Sequence, residues 1–249
     1  MVGVILFRAQ PFHNGHLNMI KKALEDCKNN NCDLYIFVGS ADKCGTARNP
    51  LPIDFRLMLI EGSLHEAFPV EELKRVHIFP LDDLTDEADN SHNWGRYLFM
   101  KMLNKTKDPD MTIYYSDRPE IMLSWFDAED RWALRFKFLD RFDNISATEV
   151  RKVIMGEDTG RTLGQLLPLY VGLHLSEIRK YMYPFFNPVE GKYYYAISHR
   201  RENAPEDIMG NGVFDTFEEA KEAMLKQDTD DCDYNVYHYI NGKMECVGC

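Results

Sequence analysis

The sequence predicts an α/β protein: a parallel sheet doubly wound with helices on both faces, followed by a small α+β domain. Three observations carry this expectation. Short, continuously apolar runs such as "VGVILF" (2–7) and "DLYIFVG" (33–39) read as strands buried on both faces. Amphipathic helical stretches alternate with these runs, as in a parallel sheet whose crossovers are helices. After "YPFFNP" (183–188) the chain changes character: from Glu190 onward it carries 13 acidic and 6 basic residues, net -7 of the -11 on the whole chain.

The elements follow in order. Val2–Phe7 is the first strand. Pro11 and Gly15 break it, and Leu17, Ile20, Leu24 and Cys27 then recur at helical spacing with Lys21, Lys22, Glu25 and Asp26 between them. The second strand leads into a loop rich in Gly, Asn and Pro from Ser40 to Pro52. "DFRLMLIEGSLHEAF" is helical, "RVHIF" (75–79) is a strand, and the acidic turn "PLDDLTDEADN" follows. "WGRYLFMKMLN" is helical, "MTIYYS" (111–116) and "RFKFLD" are strands, "SATEVRKVIMG" is a helix, and "LPLYVGLHLSEIRKYM" reads as one more. This order gives a Rossmann-like domain over residues 1–184. Residues 190–249 form the small acidic domain: a weakly alternating "KYYYAISHRR", a capped helix "DTFEEAKEAML", and a strand and turn in "YNVYHYINGKM". Some 60 residues are marginal as an independent unit. The aromatic run Tyr193–Tyr195 fits a small core or docking surface better than a base-binding platform.

Bulk properties exclude several classes. A length of 249 residues allows one large domain, or one medium and one small. No apolar run reaches the length of a membrane span. The start "MVGVILFR" lacks the basic lead and cleavage site of a signal peptide, so a cytoplasmic protein with no membrane partner is expected. The net charge of -11 argues against nucleic acid as a partner but leaves room for a small phosphate ligand. The six cysteines (27, 32, 44, 232, 246 and 249) read as free thiols. Cys246-x-x-Cys249 with Cys232 or His238 resembles a zinc set but lacks a second well-spaced pair, so no metal ligands are assigned.

Two stretches carry chemistry. "QPFHNGHL" sets His13 and His16 around Gly15 at a helix start beyond a buried strand. Free backbone N–H groups and the positive dipole end favour an anion there, imidazoles donate to phosphate oxygens, and Gly15 permits close approach to the backbone. The plain alternative is that Asn14 caps the helix and the histidines are surface residues. "NISATEVRK" offers Ser146 and Thr148 hydroxyls at a second helix start, with Arg151 about one turn further in. Its plain reading is a capping box, Ser146-x-x-Glu149.

Together the two stretches resemble the paired signatures H-x-G-H and I-S-x-T-x-x-R of the nucleotidyltransferase superfamily of adenylyl- and cytidylyltransferases. "FRAQPFHNGHL", "GSADKCGTARNPLPIDFRLMLI", "FPLDDL", the Asn93–Trp94 region, "YYSDRP" and "LLPLYV" resemble, in order, segments of the archaeal-type nicotinamide-mononucleotide adenylyltransferases. The likeness covers roughly residues 1–180. Phe7, Ala9, Gly45 and Leu51 depart from the pattern. No Nudix glycine–glutamate signature stands after Glu190, so the hydrolase activity of some relatives is not carried over.

The resemblance implies transfer of AMP from ATP to the 5′-phosphate of nicotinamide or nicotinate mononucleotide, with pyrophosphate released by direct in-line attack. It implies His13, His16 and Arg151 as catalytic residues, and Arg8, Gly15, Lys43, Ser146 and Thr148 as ATP and phosphate contacts. It implies Ser40, Asp83, Asn93, Trp94 and Ser116 on the mononucleotide side, and Mg²⁺ held mainly by substrate phosphates. Trp94 either stacks on the nicotinamide ring or packs into the core. Asp83 either meets the mononucleotide or belongs, like Asp82, Asp86, Glu87 and Asp89, to a solvated acidic loop or lid. Cys44 reads as incidental. Two other readings stay open: a sister adenylyltransferase for pantetheine phosphate or FMN, and a nucleotide-binding regulatory protein. A homo-oligomer is also left open.

Overall fold

The computed structural model describes residues 1–84, 92–116, 124–126, 134–198, 212–226 and 233–248. The chain divides into two compact units, one of Met1–Asp42 with Ile53–His174 and one of Lys43–Pro52 with Leu175–Cys249.

The first unit holds five parallel strands: β1 (Val2–Phe7), β2 (Leu34–Val38), β3 (Val76–Pro80), β4 (Met111–Tyr115) and β5 (Leu134–Phe138). Their order is β3-β2-β1-β4-β5, which puts β1 in the middle and reverses the direction of winding beside it. Alternation along β1 sends its side chains to two faces. Val2 and Val4 share a core with Trp94, Leu98 and Met102 of α4 (His92–Thr106). On the other face a Cβ at Gly3 would meet Cys27 Sγ of α1 (Asn14–Asn29). Helices thus cover both faces, which is why β1 and β2 read as unbroken apolar runs. The same unit contains α2 (Ile53–Ala67), the short α3 (Val70–Leu73), α5 (Ala147–Ile154), α6 (Leu163–Leu166) and α7 (Leu169–Leu173).

Helix α4 approaches the segment 124–126 closely. A Cβ at Gly95 would lie 1.7 Å from the carbonyl oxygen of Trp125, a backbone atom with no rotamer to yield. Gly95→Ala gains helix propensity but overpacks this contact, so it should lower unfolding stability by about 1–3 kcal/mol. Urea denaturation of the variant beside the wild type checks this.

The second unit contains α8 (Leu175–Phe186), α9 (Phe217–Leu225) and an antiparallel sheet of order β6-β7-β8. Its strands are β6 (Tyr193–Ser198), β7 (Asp233–Ile240) and β8 (Lys243–Gly248). Tyr195 and Val236 pack with Ala220 and Met224 of α9, while Tyr194 and Ala196 lie in a separate cluster with Tyr237 and Tyr239. Helix α9 carries the expected capping box, Thr216 with Glu219. The β7–β8 hairpin turns at Asn241 and Gly242, both at positive φ as an Asn-Gly turn requires. Among the described residues no helix is long and apolar enough to cross a membrane.

Several expectations need correction. "LPLYVGLHLSEIRKYM" forms two helices, α7 and α8, divided at His174. Tyr183–Phe186 is the last turn of α8, with Pro184 inside the helix. β8, α3 and α6 were not expected. Asp86, Glu87, Asp89, Cys232 and Cys249 lie outside the described residues.

Candidate functional site

The site builds from the carboxyl end of β1. Ala9 adopts positive φ (55°), which turns the chain out of the strand into Gln10 and Pro11. His13 then enters extended backbone (φ -144°, ψ 170°) as the N-cap of α1. The cap is reciprocal: the His16 backbone N–H donates to His13 Nδ1 at 3.4 Å, and the His13 N–H donates to His16 Nδ1 at 3.3 Å. This is a capping box with two imidazoles in place of the usual hydroxyl and carboxylate. Asn14 is therefore not the cap. It is the first helical residue, and its side-chain amide donates to the Gln165 carbonyl of α6 at 2.9 Å.

The box settles the state of both rings. Each Nδ1 accepts a backbone proton, so a neutral ring carries its own proton on Nε2. Burial pushes the His13 pKa down to about 3. Burial, then the neighbouring His13, holds His16 well below the ordinary histidine value. The rings stack on each other with centroids 3.7 Å apart, and His16 also lies against Phe12 (5.6 Å) and Phe7 (4.6 Å). Gly15 makes this possible in an unexpected way. A Cβ there would fall 2.9 Å from the His13 ring, so the missing side chain makes room for the imidazole itself.

The second helix start adjoins the first. A Cβ at Gly15 would lie 3.7 Å from Ile145 Cβ, immediately before the N-cap of α5. Ser146 is that cap, its Oγ accepting from the Glu149 N–H at 3.2 Å. Asp143 and Asn144, both at positive φ (52° and 50°), lead into it, and Arg161 donates to the Asp143 carbonyl and faces the Glu149 carboxylate at 3.4 Å. Arg151 reaches back from α5: one Nη donates to the Gln10 carbonyl at 2.8 Å and the other to Thr148 Oγ1 at 3.3 Å. Arg8, Gly15, His13, His16, Ser146, Thr148 and Arg151 thus gather at the end of the central strand, beside the point where the winding reverses.

The remaining candidates spread out. Ser40, buried and at φ 50°, donates from Oγ to Asp83 Oδ1 at 3.1 Å, and the Asp83 N–H donates to Asp42 Oδ1 at 2.9 Å. Tyr97 of α4 donates to the Asp82 carbonyl. Trp94 is 8% exposed, stacked on Tyr97 and edge-on to Trp125, so the geometry favours its packing role. Asn93 is exposed at the start of α4. Ser116 follows β4, its carbonyl accepting from Arg141 Nε. Lys43 belongs to the second unit, in the segment 43–52. Sequence reasoning passed over Asp42, Gln10 and the buried Arg56. Arg56 had a readable signal: it occupies the apolar stripe of α2, one turn before Leu59 and Ile60.

Among the described residues no group of three or more His, Cys, Asp or Glu side chains converges as metal ligands would. The donors gathered around the turn suit phosphate oxygens rather than a cation.

The sequence profile of the Cytidylyltransferase-like family matches residues 8–153, more than half of the chain. A nicotinamide-nucleotide adenylyltransferase of Saccharolobus solfataricus is 27% identical over 172 residues, 69% of this chain and 88% of that protein. Nicotinamide-nucleotide adenylyltransferase 1 of Sulfolobus acidocaldarius is 30% identical over 151 residues, 61% of this chain and 76% of that protein. Among solved structures, a bifunctional NMN adenylyltransferase/ADP ribose pyrophosphatase from Francisella tularensis, complexed with AMP and a manganese ion, superposes with a TM-score of 0.57 at 19% identity. That match covers 83% of this chain and 65% of the other, and it is a likeness of fold. With both helix starts at one strand end and the profile spanning them, the chain belongs to the cytidylyltransferase-like family of nucleotidyltransferases.

Proposed function

We propose that this chain transfers AMP from ATP to the 5′-phosphate of nicotinamide mononucleotide, giving NAD and pyrophosphate, with nicotinate mononucleotide as the alternative acceptor. The observation that carries the reading is the meeting of two helix starts, α1 with its histidine pair and α5 with Ser146, Thr148 and Arg151, at the carboxyl end of β1. Both present free N–H groups and a positive dipole end to the same space, which suits a polyphosphate. The names of the archaeal relatives supply the acceptor.

The chemistry needs no nucleophilic side chain. An oxygen of the acceptor phosphate, already ionised at neutral pH, attacks the α-phosphorus of ATP. The bond from that phosphorus to the bridging oxygen breaks, and pyrophosphate leaves with the electron pair. The protein aligns two polyanions and stabilises charge on the departing oxygens. His16 and His13 donate through Nε2–H as neutral imidazoles. Arg151, Ser146 and Thr148 hold the β- and γ-phosphates, with Arg8 as a further cation. Mg²⁺ arrives with ATP, carried by its phosphate oxygens and water. Ser40, Asp83, Asn93 and Ser116 line the acceptor side.

An acceptor screen tests this. Pyrophosphate release from ATP and Mg²⁺ is followed with nicotinamide mononucleotide, nicotinate mononucleotide, pantetheine phosphate and FMN. The expected result is turnover with a pyridine mononucleotide and none with the other two. Turnover only with pantetheine phosphate or FMN would reassign the acceptor.

A further inference from the structure

Arg56 lies on α2 and is fully buried (0% exposed). Its guanidinium holds three backbone carbonyls: Nη1 donates to the Arg8 and Gly39 oxygens, each at 2.8 Å, and Nη2 donates to the Ser40 oxygen at 2.7 Å. These carbonyls belong to the carboxyl ends of two neighbouring parallel strands, β1 and β2. The backbone beside them is unusual. Ala9, next after Arg8, has φ 55°, and Ser40 has φ 50°, a left-handed region that non-glycine residues enter only when surroundings impose it. Arg151 donates to the carbonyl of Gln10, two residues after Arg8, at 2.8 Å. Two guanidiniums therefore bracket Ala9, and the turn between them delivers His13 and His16.

We infer that Arg56 is a positioning residue: its buried guanidinium fixes the ends of β1 and β2 and so sets where the histidine pair and Ser40 stand. This inference rests on the phosphate-transfer reading of the turn. A planar fork with five donors in fixed directions can hold three carbonyls from two strands at once. An ammonium is a single point of charge and cannot span them in the same way. A buried guanidinium spanning three backbone carbonyls is also more than packing requires, since an apolar side chain would fill the same stripe of α2.

The test compares Arg56→Lys with Leu64→Ala, a cavity-forming change at a buried position (2% exposed) two turns along the same helix. Both are assayed well below their unfolding midpoints. Arg56→Lys should lower kcat by about 10- to 100-fold, with KM for ATP changed by less than about threefold, because misplaced donors fail chiefly in the transition state. Leu64→Ala should leave kcat near wild type. Independently of turnover, the imidazole resonances of His13 and His16 in the free protein should shift in Arg56→Lys and stay in place in Leu64→Ala. If Arg56→Lys behaves like Leu64→Ala in both measurements, or loses kcat with unmoved ring resonances, the positioning role is overturned. If the wild type transfers AMP to no acceptor, the function proposed above fails, and the ring resonances alone decide the role of Arg56.

Discussion

Replacing His16 with alanine is expected to lower kcat for AMP transfer by about 100- to 1,000-fold, or about 3–4 kcal/mol of barrier, while leaving the protein folded. The expectation follows from where its protons are. The ring is neutral and its Nδ1 is taken by the His13 backbone N–H, so its one free donor is Nε2–H. A donor already oriented by the cap, backed by Phe7 and Phe12, needs no reorganisation when charge builds on a bridging oxygen. The structural cost is smaller: alanine removes one half of a capping box, about 1 kcal/mol of helix stability. His16→Gln separates the two effects, because glutamine serves at the third position of a capping box but places its amide differently. Both variants should lose activity, and the glutamine variant should keep more of the stability. A His16→Ala enzyme with wild-type kcat would remove the histidine from the mechanism.

The second large effect concerns acid. His13 is 5% exposed, and its pKa of about 3 lies below the 6.5 of an unfolded histidine. Between those values the unfolded chain binds a proton that the folded chain refuses. Stability is therefore complete above about pH 6.5 and is lost as pH falls, by about 2 kcal/mol from His13 alone between pH 6.5 and 5. His16, displaced in the same direction, adds to the loss. The physical cause is plain: protonating either Nδ1 abolishes the acceptor that caps α1 and sets two cations on stacked rings. Urea midpoints at pH 7 and pH 5 measure the effect. A His13→Asn/His16→Gln double variant keeps the cap acceptors without titrating there, and its stability should change less between the two pH values. An unchanged pH slope in that variant would mean that other groups carry the acid sensitivity.

How much of this was legible in the sequence depended on what each residue's neighbours reveal. β1 and β2 were plain because burial on both faces leaves an unbroken apolar run. β8 was not, since most of its residues are exposed and neither face reads as buried. The two helix starts were found by their residue types, but their contact at Gly15 and Ile145 is tertiary, 130 positions apart, and spacing cannot express it. Asn14 looked like the cap because asparagine commonly is one; the competing acceptor was a histidine, which no cap propensity favours. Trp94 was ambiguous for the opposite reason: a tryptophan serves equally as a stacking face and as core, and its contacts with Tyr97 and Trp125 incline to core. Arg56 escaped because a charge on a helix is usually solvated, and the three carbonyls that accept from it are tertiary contacts that spacing cannot express.

In the proposed reading, the turn after β1 and the start of α5 form one site for moving AMP between two phosphates. Its most direct test is to incubate the full chain with ATP, Mg²⁺ and nicotinamide or nicotinate mononucleotide, and to measure the dinucleotide by mass together with the pyrophosphate released. Dinucleotide and pyrophosphate are expected in equal amounts, both absent without the mononucleotide. ATP bound with no dinucleotide formed, or ADP and phosphate as the products, would contradict that reading.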